Sequence, residues 1–143
     1  MQLDAILKTA QICANVAAAI AALWALGVYC SNARRERARW AESLYARFFE
    51  KSDLKEIREI VDTNADDPKV EELVSRETAA WTDYLNFFEF VAYLQESKQL
   101  SVKDVAALLG YYMECLKRHK CTKAYIRDKA KGFDYLRQLL FEE

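Results

Sequence analysis

Residues 12–30 read ICANVAAAIAALWALGVYC, nineteen consecutive positions without a charge and with Asn15 as the one strongly polar side chain. At about 1.5 Å per residue, a helix of that length reaches roughly 28 Å, close to the hydrocarbon thickness of a bilayer. The run predicts a transmembrane helix. Beyond it the apolar positions become periodic. No Pro or Gly interrupts residues 31–51, and Trp40, Leu44, Phe48 and Phe49 fall at helical spacing, so the helix is expected to leave the membrane and face other helices. Asp53 with Glu56 has the form of a capping box opening a second helix through Val61, whose stripe is Leu54, Ile57, Ile60 and Val61. NADDP at 64–68 reads as a loop, with Pro68 as the first residue of the next helix. A third helix over 69–95 carries Trp81, Tyr84, Phe87, Phe88, Phe90 and Tyr93. Ser101 with Asp104 gives another capping signature before a fourth helix over 102–119, and a final stretch over 122–141 has a possible break at Gly132. No strand alternation and no repeat is present. The expected fold class is all-α: an N-terminal transmembrane anchor, residues 1–33, continuing into a cytoplasmic bundle of four to five helices, residues 34–143.

Composition agrees with helix almost throughout: one Pro and three Gly in 143 residues, 52% apolar and 30% charged. The net charge of -1 hides segregation, because residues 32–51 carry +3, residues 52–100 carry -7 and residues 101–143 carry +3. Arg34, Arg35, Arg37 and Arg39 follow the apolar run at once, which by the positive-inside rule predicts a membrane protein with its N-terminus outside and its C-terminal domain in the cytoplasm. Those arginines also argue against a cleaved signal peptide. The competing reading is a buried core helix of a soluble protein, since seven of the nineteen residues are Ala and add little to insertion.

Ala14, Ala18 and Ala22 recur every fourth residue, as do Ala17, Ala21 and Ala25, the small-xxx-small pattern that lets transmembrane backbones approach closely. Asn15 lies on the same side as Ala18 and Ala22, and an amide in lipid seeks a partner helix. Ala14, Asn15, Ala18, Ala22 and Ala25 are therefore the expected homo-oligomer or pore face, with a simple monomeric anchor as the alternative. The four arginines would contact anionic lipid or, in a ring, form a positive collar at the inner mouth.

Asn86 and Glu89, one helical turn apart within an aromatic face, are expected to form a half-buried polar clamp, with Arg47, Arg58 or Arg76 as the carboxylate's partner. Catalysis by Glu89 is the other reading. Cys115, His119 and Cys121 fall short of a four-ligand zinc site, and free thiols fit a cytoplasmic location. Lys117, Arg118, Lys120, Lys123 and Arg127 begin the most basic stretch, which could be a solvated face, a subunit contact, a lipid contact or a grip on nucleic-acid phosphates. Phosphate-binding glycine loops, nucleophile elbows and zinc-protease signatures are missing, so no metal, cofactor or small-molecule substrate is expected and the protein is not expected to be an enzyme.

The order of a short N-terminal span, an Arg-rich aromatic exit (RRERARWAESLYARFF), a mid-chain LNFFEF, then YIRDK and YLRQLL, resembles a bacterial family of single-pass membrane proteins. In that family a cytoplasmic helical domain of unassigned activity shows a Leu-Asn-x-x-Glu element, matched here by Leu85, Asn86 and Glu89. The layout is also similar to the membrane-pore accessory protein of type VI CRISPR systems, whose cytoplasmic part resembles the HEPN ribonucleases. That resemblance implies an oligomeric pore-forming or membrane-depolarising effector in antiphage defence, with an RNA-guided effector as partner. The alternative is a membrane-tethered adaptor whose basic C-terminal helices hold nucleic acid or a protein effector. The chain departs from the ribonuclease signature of Arg, four residues, His: its one His is His119, and five residues before it stands Glu114.

Overall fold

The computed structural model describes residues 2–142, which form seven α-helices and one short 3-10 turn, with no strand among the described residues. They are α1 (Gln2–Glu50), α2 (Ser52–Val61), α3 (Pro68–Arg76), α4 (Ala79–Glu96), α5 (Val102–Arg118), α6 (Lys120–Arg127), the 3-10 turn (Lys129–Lys131) and α7 (Asp134–Phe141). The protein is all-α. It divides into two units, residues 1–39 and residues 40–143.

The first unit is a single helix. Every residue from 10 to 32 is exposed, Leu23 by 70% and Trp24 by 76%, so the apolar run is not buried inside its own globule. α1 contains one stretch, near the N-terminus, long and apolar enough to cross a membrane.

The second unit packs around α4, which lies against α2, α5 and α7, while α6 lies against α3, α5 and α7. Its core is Phe48 from the end of α1, Trp81, Tyr84, Leu85, Phe88 and Val91 from α4, and Leu116, Ile126 and Leu136 from α5, α6 and α7, all fully buried. Phe48 is the hub. Its ring stacks on Phe87 at 4.9 Å and meets Phe88 and Tyr112 edge-on at 5.5 and 4.9 Å. The expected stripe on the end of α1 therefore holds for Leu44 and Phe48, whereas Trp40 stays 43% exposed.

Local signals explain most helix starts. Asp67 accepts the Lys69 N–H ahead of Pro68, and Ser101 with Asp104 forms the reciprocal capping box. The expected box of Asp53 and Glu56 does not form: α2 starts two residues earlier, after Lys51, with no side-chain cap. The expected third helix is two. Glu77 adopts the left-handed conformation (φ 46°) and the Thr78 hydroxyl accepts the Trp81 N–H, which ends α3 and restarts the chain as α4. The final stretch also breaks, with Gly132 (φ 78°) supplying the left-handed turn between the 3-10 segment and α7.

Truncating the hub tests this packing. Phe48→Ala should lower unfolding free energy by about 3–5 kcal/mol, as for other fully buried aromatic residues, measured by denaturant titration; a loss below about 1 kcal/mol would mean the core is not organised around this ring.

Candidate functional site

Within the first unit, successive helical residues advance by about 100°, and this sorts the apolar run into two sides. Over residues 11–25, Gln11, Ala14, Asn15, Ala18, Ala22 and Ala25 fall within one arc of small and amide side chains, which Tyr29 continues beyond them. Ile12, Val16, Ile20, Leu23 and Trp24 fall on the other. Below the run, Arg34 continues the bulky side, Arg35, Arg37 and Arg39 spread around the helix with Arg39 close to the line of Ala14, and Glu36, which pairs with Arg39 at 3.0 Å, is aligned with the small side.

In the second unit, two buried or half-buried charges close helix ends. Glu89 meets no arginine. One carboxylate oxygen accepts the Tyr135 N–H at 3.0 Å and the other the Leu136 N–H at 2.7 Å, so the side chain caps α7, whose own N-cap residue Phe133 has no side-chain acceptor. First-turn amides carry the positive end of the helix dipole, which suits a carboxylate. Of its expected partners, Arg58 does the converse at the end of α1. Its buried guanidinium donates to the Phe48 carbonyl and, at 3.4 Å, to the Phe49 carbonyl, with its carbon 4.9 and 4.8 Å from those two ring centres. The unsatisfied carbonyls of the last turn thus receive a cation. Arg76 pairs with Glu72 on its own helix, and Arg47 has no ion pair among the described residues. Asn86 is exposed and stands apart from Glu89, so the expected buried clamp of the two does not exist.

Loop 62–67 is tied to the α5–α6 junction. His119 is fully buried; its Nδ1 accepts the Asp66 N–H at 3.2 Å and its Nε2 lies 3.0 Å from the Val61 carbonyl, a pattern that assigns the proton to Nε2. Asp66 in turn accepts from the Lys120 N–H at 2.9 Å and pairs with its ammonium at 3.0 Å, and these bonds from Lys120 hold its carboxyl below the usual range. Arg118 donates to the Thr63 carbonyl at 2.9 Å, and Tyr111 donates to Asp62. Much of the basic stretch is therefore spent on the fold itself. Lys117 pairs with Glu114, Arg127 lies 4.5 Å from the Phe141 ring centre, Lys131 pairs with Glu77, and Lys123 is half-buried. Burial pushes the thiols of Cys115 and Cys121 up, which disfavours thiolate, and no group of three or more metal-ligating residues is gathered among the described residues.

Asn86 instead lines a pocket of about 270 Å³ formed by the end of α1, the first turn of α2 and the outer side of α4.

Comparison with protein families places residues 12–128 within a domain of unknown function, DUF4760. The chain belongs to the DUF4760 family. The match to DUF4760 takes in the apolar run, Arg58, loop 62–67, Leu85, Asn86 and Glu89, and it stops before α7, the helix that Glu89 caps. No curated protein and no solved structure matches this DUF4760 chain.

The cap assigned to Glu89 can be read directly. Glu89→Ala should cost about 1.5–3 kcal/mol, as for a hydrogen bond to a charged group, and should selectively raise amide exchange at Tyr135 and Leu136. Uniform exchange changes, or none at these two amides, would show that the carboxylate does not hold α7.

Proposed function

We propose that this DUF4760 protein is a single-pass inner-membrane protein that self-associates through the small-residue side of its span and acts on the bilayer rather than as an enzyme. The observation that carries this reading is that residues 11–25 of the exposed run set an alanine and amide arc against a bulky arc. Hydrocarbon solvates Ile12, Val16, Ile20, Leu23 and Trp24 well. It leaves the amides of Gln11 and Asn15 without partners, and a second copy offers both close backbone approach and the missing hydrogen bonds. The arginines of residues 34–39 set the orientation, with the C-terminal unit in the cytoplasm. Spread around the helix, they can reach lipid headgroups at the perimeter and, from Arg39, the side on which copies would meet.

An assembly of such spans in the inner membrane would permeabilise or depolarise it, the role that the resemblance in layout to CRISPR-associated pore proteins implies in antiphage defence. The adaptor reading, in which the basic stretch from Lys117 to Arg127 grips nucleic acid, is weakened by the internal partners of Lys117, Arg118, Lys120 and Arg127. A HEPN-type nuclease reading would need an accessible imidazole, and both nitrogens of buried His119 are already engaged.

Single cysteines, introduced into a variant with Cys13 and Cys30 replaced by Ser, test the interface in membranes. Cysteine at 18, 22 or 25 should cross-link on oxidation while cysteine at 20 or 24 should not, and Asn15→Leu with Ala18→Leu should abolish both cross-linking and dye release from liposomes. Cross-linking that is equal around the helix, or absent everywhere, would refute the face.

A further inference from the structure

Of the three residues that match the Leu-Asn-x-x-Glu element, the fold uses two: Leu85 is fully buried in the core and Glu89 caps α7. Asn86 has no such duty. It is exposed, makes no hydrogen bond among the described residues, and lines the pocket of about 270 Å³ with Arg47, Lys51, Leu54, Asp83, Phe87 and Phe90. The pocket has two chemically different walls. Arg47, in the last turn of α1, and Lys51, between α1 and α2, supply two cations. Asp83, Asn86 and Phe90 recur along α4 at helical spacing and supply a carboxylate, a carboxamide and a ring that is 38% exposed, with the buried Leu54 and Phe87 also in the lining.

The geometry points to a binding site for a nucleoside monophosphate. Arg47 and Lys51 suit a phosphate, for which Arg offers paired donors and Lys a point charge. Lys51 pairs with Asp83 at 3.4 Å, with both side chains about half exposed, so solvent screens the carboxylate and the ammonium, which has three donors, can keep Asp83 while reaching a ligand oxygen. Phe90 offers a stacking face for a base, which every nucleobase can use. The carboxamide of Asn86 presents a donor and an acceptor side by side, the pairing that Asn makes with the edge of adenine. The volume fits one small ligand and leaves no room for a folded macromolecular segment.

The test uses the full-length protein in detergent, titrated separately with AMP, GMP, CMP, UMP, adenosine and inorganic phosphate by calorimetry. At least one monophosphate should bind with a dissociation constant below about 1 mM, and phosphate and adenosine each at least about tenfold more weakly, because each lacks one of the two recognition elements. Arg47→Ala and Asn86→Ala should each weaken that binding by about tenfold or more without moving the melting midpoint, since neither side chain supports the fold. Asn86→Asp, nearly isosteric, should weaken it by at least as much, because the carboxylate keeps an acceptor and loses the donor that pairs with the base edge. No saturable binding of any monophosphate, equal binding of bare phosphate, or full binding by Asn86→Asp would overturn the assignment. The self-association of the span is untouched by each of these outcomes.

Discussion

An uncharged helix of about 30 Å with no protein covering it is untenable in water, where each square ångström of exposed apolar surface costs about 25 cal/mol. Residues 10–32 are in that position, so their surroundings must be supplied from outside the chain. Lipid meets the requirement on the side of Ile12, Val16, Ile20, Leu23 and Trp24. It does not meet it for Gln11 and Asn15, whose amides lie on the alanine side. The proposed function answers this one constraint with two elements, a bilayer and a partner helix.

The second unit follows a different rule: its ionised side chains are placed where helix ends leave backbone groups unpaired. Arg58 answers the carbonyls at the end of α1, Glu89 the amides at the start of α7, and Asp66 the Lys120 amide at the start of α6. Each bond ties one element to the end of another while satisfying a terminus, across 10 residues for Arg58, 47 for Glu89 and 54 for Asp66. The buried His119, bridging Asp66 and Val61, serves the same end without a charge. The acidic middle and basic C-terminal regions of the chain meet in the pairs of Asp66 with Lys120 and Glu77 with Lys131.

What was legible in the sequence was local. The apolar run, the Asp67–Pro68 start and the Ser101–Asp104 box depend on residues within a few positions of one another, and the structure contains them. The division at Glu77 was not legible, because Glu has no preference for the left-handed conformation and the signal there is only Thr78 followed by Trp81. Asp53 and Glu56 carried the right letters for a cap, yet α2 begins without one. Glu89 was recognised as a half-buried carboxylate in need of a donor. Its donors are backbone amides 46 and 47 residues later, which no side-chain pattern announces. Asn86 looked like the other half of a clamp because it shares the aromatic helix, but its position on α4 turns it outward, into the pocket beside Arg47 and Lys51.

The central claim is that the span recruits further copies of itself. Its most direct measurement is the protein mass of the particle extracted from membranes in a mild detergent, with the detergent contribution separated by combined light scattering, refractive index and absorbance. The account predicts a discrete multiple of the 16.6 kDa chain. A particle holding a single chain at every protein concentration would contradict it.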